Sequence, residues 1–180
     1  TPYGQIVKNL RIDRILDEVY KLSDYKNRLT NINKFNLNQK ANNLPFRKGI
    51  ALMPAKFGIS FNKPSLNQGG ALVHVYSDGS IRLNHGGTEM GQGLFIKVAQ
   101  VVAECFKVPL EQIHITSTNT AEVPNTSATA ASSGSDLNGM AAWNASNVIK
   151  NRMIDHAAKL FKKNKKDIVF SEGRIICGNR

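Results

Sequence analysis

Two stretches of this chain set very small residues directly before a helix-like pattern, which leaves the backbone itself free to do chemistry. The first is HGGTEMGQGLFIK, residues 85–97. Gly91 and Gly93 let a ligand approach the main chain closely, and Gln92 between them carries an amide that both donates and accepts. The second is NTAEVPNTSATAASSGSD, residues 119–136, where Thr129, Ser132 and Ser133 add hydroxyls while Ala130 and Ala131 add almost no bulk. A strand, a run of small residues and then a helix start collect unpaired backbone N–H groups at the positive end of a helix dipole, which is an anion site. Two such loops in one chain point to a phosphate-bearing cofactor lying between two helix starts. A single glycine-rich turn would more often be only a turn. GQGLFI supplies the first two glycines of the dinucleotide fingerprint but has Ile96 where the third belongs, and no GxxxxGK[ST] occurs. Residue chemistry therefore leaves the cofactor unnamed.

The elements that must position these loops are legible from periodicity. GALVHVYSDGSIRLNHGG (70–87) reads as two alternating runs around an Asp-Gly turn, a β-hairpin that delivers the chain into the first loop. From Leu94 the period becomes about 3.6, with Val98, Val101, Val102, Cys105 and Phe106 on one stripe ended by Pro109. EQIHITST (111–118) returns to strand, a helix follows the second loop from about Ser135, and DIVFSEGRIICG (167–178) closes as a hairpin. Upstream, Ile6, Leu10, Ile15, Val19 and Leu22 predict an amphipathic helix over 4–24. The Asn-rich 25–43 reads as an irregular connector, and RKGIALMPAKFGISF (47–61) as extended segments around Pro54. The division is thus an N-terminal helix and connector over 1–43 and a compact part over 44–180, and the mixture of helices with antiparallel pairs argues for α+β.

Composition narrows the function classes. A chain of 180 residues, 41% of them hydrophobic, can bury one real core. No apolar run reaches the roughly 20 residues of a membrane helix, and the first ten residues lack the form of a secretory signal, so the expectation is a cytoplasmic protein with no membrane partner. Cys105 and Cys177 are too few for a zinc cluster or disulfide framework and read as reduced, buried residues. His74, His85, His114 and His156 show no metal-ligand spacing, so no metal is expected on side chains. The net charge of +11 raises a basic nucleic-acid-binding module as an alternative. Its one dense cluster, KLFKKNKKD (159–167), sits at a helix end where lysines are solvated, and no nucleic-acid motif accompanies it, so a nucleic-acid partner ranks below an anionic small ligand.

Three blocks together carry more than any of these signals. KFGISF (56–61), LNQGGALVHVYSDGSIRLNHGGTEMGQGL (66–94) and VPNTSATAASSGSDLNGMA (123–141) closely resemble, in order and spacing, the molybdenum-binding region of the xanthine dehydrogenase and aldehyde oxidase family. The third block is most like bacterial members, and the likeness extends more weakly to TPYGQ and KDIVFSEGRI. The resemblance implies a fragment of a longer enzyme that hydroxylates hypoxanthine and xanthine to urate. Its molybdopterin would work with 2Fe-2S clusters and FAD, passing electrons to NAD, and those groups would lie on another domain or chain of the enzyme, itself a hetero- or homo-oligomer. An aldehyde oxidase-type hydroxylase is the alternative within the same resemblance. The family's Gly-Glu-Pro-Pro type segment, whose Glu is the catalytic base, does not occur here, so no catalytic residue is assigned and the fragment alone should be inactive.

Carried over residue by residue, Met90, Gly91, Gln92 and Leu94 match the family loop that contacts the pterin and its phosphate. Ala131 matches the backbone position beside molybdenum, flanked by Ala130 and Ser132; the metal itself is ligated by the pterin. Phe61 matches one of two phenylalanines that enclose the substrate, and Asn62 stands where Thr is frequent. By residue type alone, Met90, Leu94 and Phe61 would each read as packing residues.

Overall fold

The computed structural model describes Gly4, 6–55, 57–123 and 126–178. Contacts divide the chain into two units, Thr1–Phe57 and Gly58–Arg180, whereas the sequence predicts a boundary at 43/44. In the first unit α1 spans Ile12–Leu22 and α2 spans Tyr25–Ala41. The helix expected over 4–24 therefore begins only at Ile12; Gln5 lies outside the described residues.

The expected connector over 25–43 is corrected to a helix. Asparagine costs less than about 0.7 kcal/mol per site relative to alanine, and tertiary context overrides that preference. Ile32 and Phe35 are half-buried and the polar Gln39 beyond them is buried, one inward face that the interleaved asparagines disguise. The asparagines also find backbone partners: Asn36 donates to Lys48 O (2.8 Å) and accepts from Lys48 N (2.9 Å), and Asn42 donates to Asn38 O (2.9 Å). The extended segments expected over 47–61 are likewise not strands among the described residues; Lys56 lies outside them. Pro54 removes a ladder donor, and Met53, Phe57 and Ile59 are all exposed, so alternation there reports no sheet face.

The second unit is built on a three-stranded sheet ordered β1-β2-β3, from Ala71–Val75, Ile81–His85 and Ile113–Ile115. The Asp-Gly turn forms as expected: Ser80 N donates to Asp78 Oδ1 (2.9 Å), Gly79 takes φ +86°, and β1 pairs antiparallel with β2. Helix α3, Leu94–Phe106, then carries the chain back so that β3 pairs parallel with β2, Leu83 opposite Ile115. The long α4, Gly134–Phe161, packs across α3 and the sheet, and β4 (Ile168–Ser171) and β5 (Arg174–Cys177) form the closing hairpin.

The core contains Val73, Ile81 and Leu83 from the sheet, Leu94, Val98, Val102, Cys105 and Phe106 from α3, and Ala142 from α4. Leu83, Val98, Val102 and Ala142 are 0% exposed, and burying each large aliphatic side chain stabilises by roughly 1.5–3 kcal/mol. Cys105 lies in this core as a free thiol, its pKa raised by burial; Cys177 is free but only half-buried. Among the described residues, no helix is long and apolar enough to cross a membrane.

Candidate functional site

Parallel pairing of β2 with β3 decides where the two small-residue loops go. Both leave carboxyl ends of neighbouring parallel strands, so residues 86–93 and, of the second loop, 116–123 and 126–133 emerge side by side at one sheet edge, the edge at which open α/β sheets bind ligands. They are stitched together there. Thr118 Oγ1 lies 2.7 Å from Gly87 O and 3.1 Å from His85 O, and Thr88 N donates to Thr129 Oγ1 (2.8 Å). Glycine is required where they meet. A Cβ on Gly86 would collide with the Thr126 side chain, and one on Gly87 would stand 2.6 Å from both Asn138 Nδ2 and Leu94 Cδ2.

Between the loops lies a cavity of about 450 Å³ lined by Met90, Gln92, Leu94, Lys97, Thr129, Ala130, Ala131, Ser132, Gly134 and Ser135. Six of the seven residues matched to cofactor contact thus meet around one space; Gly91 stays in the loop but does not line it. Leu94 is 1% exposed and doubles as core, whereas Met90 is 68% exposed, so packing does not account for Met90. Lys97, which sequence reasoning passed over, brings a cation into the lining from the first turn of α3.

Ala131 and Ser132 both adopt the left-handed conformation, φ +52° and +53°. Non-glycine residues held there cost on the order of 1–3 kcal/mol each and persist only where neighbours determine them. Here Ala131 O accepts from Ser60 N (2.8 Å), and Ala130 O accepts from both Ser133 N (3.3 Å) and Ser133 Oγ (3.0 Å). Phe61 and Asn62 do not line the cavity. They come directly after Ser60, so the residue bonded to Ala131 places them at its side; Phe61 is half-buried and Asn62 exposed.

The expectation of unpaired amides at both helix starts needs correction for α3. Glu89 Oε1 accepts from Gly91 N (2.8 Å) and Gly93 N (3.0 Å), and Glu89 Oε2 accepts from Phe95 N (3.0 Å). The anion at this helix dipole is a side chain of the loop. These bonds, the one from Phe95 first, hold the Glu89 carboxyl below its usual pKa. Gln92 is also committed within the loop, accepting from Met90 N (2.6 Å) and donating to Thr88 O (2.9 Å). An acidic residue two before Gly91 and four before Gly93 was the available signal for this cap.

Beneath the loop, His85 is buried at 1% exposure, with Nδ1 accepting from Gly87 N (3.1 Å) and its ring meeting the Phe95 ring edge-on at 5.1 Å. Burial pushes its pKa below the usual value, the nearby Glu89 charge opposing that only in part. The imidazole is therefore a neutral acceptor that supports the loop.

Two backbone-rich loops, one lysine and a cavity large enough for a heterocycle with a phosphate define a cofactor-binding domain. The chain belongs to the molybdopterin cofactor-binding domain family, whose model matches residues 18–180. It is 48% identical over 153 residues to the xanthine dehydrogenase/oxidase of Mus musculus, covering 85% of this chain and 11% of that protein. It is 48% identical to the xanthine dehydrogenase of Dictyostelium discoideum, with the same 85% and 11% coverage. The chain thus spans about a ninth of the length of these curated relatives. Among solved structures it resembles CO dehydrogenase from Oligotropha carboxidovorans, with TM-score 0.53, 25% identity and coverage of 57% of this chain and 13% of that one. Quinoline 2-oxidoreductase from Pseudomonas putida 86 shares the fold, with TM-score 0.51, 21% identity and coverage of 59% and 14%.

Proposed function

We propose that this chain supplies one wall of the molybdopterin site, and one face of the substrate slot, in a xanthine dehydrogenase that hydroxylates hypoxanthine and xanthine. The observation that carries the reading is the cavity between the two loops, lined from one side by the small residues Thr129 to Ser132, of which Ala131 and Ser132 are held in the left-handed conformation. A group with a phosphate and a flat heterocycle fits that lining. Ala130, Ala131 and Ser132 would meet it from one side, Met90, Gln92 and Leu94 from the other, with Lys97 offering the counter-charge.

When bound, the molybdenum cofactor supplies the redox chemistry that places a water-derived oxygen on an electron-poor carbon. This chain's contribution is to orient and exclude water: Leu94 seats the site on the core, Glu89 and Gln92 fix the loop, and Phe61 and Asn62 face the purine. The base, the 2Fe-2S clusters and FAD, with NAD as acceptor, would come from elsewhere in a multidomain cytoplasmic enzyme. The second unit forms part of its molybdopterin-binding domain.

The test uses the full-length protein carrying Gln92→Ala, Ala131→Val or Ala131→Gly. Gln92→Ala deletes two loop hydrogen bonds worth about 1 kcal/mol each, and valine in the left-handed region is strained by on the order of 1–3 kcal/mol. Molybdenum and pterin content should fall in both, with FAD content retained, while Ala131→Gly keeps full molybdenum because glycine adopts that conformation freely. Full molybdenum occupancy in both Gln92→Ala and Ala131→Val would remove these loops from the cofactor site.

A further inference from the structure

The segment from Ser60 to Gln68 is fastened to the small-residue loop at both ends. At one end Ser60 N donates to Ala131 O (2.8 Å). At the other, Ser127 N donates to Gln68 O (3.0 Å), Gln68 N donates to Ser127 Oγ (3.0 Å), and Ser127 Oγ is also hydrogen-bonded to Leu66 O. Between those ties the chain turns through Pro64–Leu66, a single 3-10 turn closed by Asn67 N donating to Pro64 O (3.0 Å). Asn67, which closes that turn, reaches back to Phe61. Its Oδ1 accepts from Phe61 N (2.9 Å) and its Nδ2 donates to Phe61 O (2.7 Å), so one planar amide holds both polar groups of one residue.

We propose that Asn67 is a positioning residue for Phe61, fixing the angle at which its ring faces the substrate relative to the Ala131 loop. The inference rests on the reading of Phe61 as substrate-facing. Phe61 belongs to no strand, so it lacks the ladder partners that would otherwise hold its backbone. Ser60 before it takes φ +73°, a strained conformation that persists only where the surrounding structure determines it. The Asn67 amide replaces a missing ladder: it meets N–H and C=O of the same residue, as a neighbouring strand would. Aspartate has the same length but no donor, so it would set a carboxylate oxygen against Phe61 O. Alanine removes both bonds. The device recurs in the other unit, where the Asn36 amide holds N–H and C=O of Lys48, so the geometry is one this chain uses where a strand is absent.

The experiment is a double-mutant cycle in the full-length, cofactor-loaded protein, with Asn67→Ala, Asn67→Asp, Phe61→Leu and Phe61→Leu/Asn67→Ala. Molybdenum and FAD content are measured with the steady-state kinetics for xanthine. Both Asn67 variants should keep molybdenum and lose about tenfold in kcat/KM, chiefly through KM, because an unfixed ring binds the planar purine less well but leaves the chemistry intact. In the Phe61→Leu background the further loss from Asn67→Ala should shrink to within about twofold, since there is no ring left to position. Additive losses, with Phe61→Leu active by itself, would overturn the positioning role while leaving Phe61 substrate-facing. Loss of molybdenum from the Asn67 variants with unchanged kinetics per molybdenum would also overturn it, since Asn67 would then serve only to hold the fold. A Phe61→Leu variant with wild-type xanthine kinetics would remove the substrate-facing reading and the inference together.

Discussion

Gly87→Ala adds a single methyl group where the sheet, α3 and α4 converge. The new Cβ would lie 2.6 Å from Asn138 Nδ2 and 2.6 Å from Leu94 Cδ2, against an ordinary contact of 3.4 Å or more, so both neighbours must retreat, each by about 0.8 Å. Neither can do so freely. Leu94 is 1% exposed in the core, and Asn138, 3% exposed, donates to Gly134 O (2.9 Å) at the start of α4. Overpacking of this kind costs about 1–3 kcal/mol, and a strained Asn138 bond adds about 1 kcal/mol. Against this, the loss of unfolded-chain entropy on replacing glycine stabilises by about 0.4–1 kcal/mol, since Gly87 is not among the residues held at positive φ. The net is about 2 kcal/mol of local destabilisation, equivalent to roughly 30-fold more frequent opening of the two helix starts. Hydrogen exchange by mass spectrometry on the full-length protein reads this directly at 88–98 and 131–139, with molybdenum content measured on the same samples. Both should move: faster exchange in these two stretches, little change in β4 and β5, and reduced molybdenum. Exchange within about twofold of wild type at both helix starts would refute the argument that this contact sets the spacing of the loops.

Glu89→Gln keeps the size of the cap but can no longer accept from Gly91, Gly93 and Phe95 with two oxygens, so these amides should exchange about tenfold faster at pH 7, with lower molybdopterin content. Because the folded carboxyl titrates below its usual value of 4.5, its contribution is fully present above that pH and is lost as pH falls through the lowered folded value; wild type and variant should therefore converge in strong acid, and an unchanged gap there would contradict the cap. His85 titrates below its usual 6.5 in the folded protein, so below that pH the unfolded chain takes up a proton that the folded one refuses. Loop stability should be full above pH 6.5 and decline as pH drops toward the folded value, and His85→Gln, which keeps an acceptor for Gly87 N, should flatten that decline in amide exchange between pH 7.5 and 5.5; equal slopes would remove His85 from the effect.

The range of the interactions that decide each feature separates the legible parts of the sequence from the rest. The Asp-Gly hairpin, α3, α4 and the closing hairpin are set by local period and turn chemistry, and they stand where periodicity put them. The α2 helix escaped because the half-buried Ile32 and Phe35 are interleaved with asparagines whose low helix preference dominates a local reading, although that preference is a weak one. The strand–helix–strand order of β2, α3 and β3 permits a parallel pair, but its residue-by-residue register has no local signature. Alternating residues look the same whichever neighbour they pair with, yet that register is what brings the two loops to one edge and makes a cavity of them.

Glu89 is the instructive case at the site. Read by type, EMGQG offers glycines and an amide, and its acidic residue has no assigned role. In the structure that carboxylate is what makes the loop possible: with glycines at φ +98° and +75°, residues 91 and 93 have no intrinsic reason to hold one conformation, and three N–H groups converging on Glu89 supply it. A helix dipole already answered by an internal charge gives little additional attraction to a second anion. The positive element that remains for a phosphate in this cavity is Lys97, together with the amides at the start of α4, where Ser133 makes no side-chain cap. The glycine loop is therefore better understood as a shaped wall than as an anion trap, and its selectivity lies in what its backbone leaves room for.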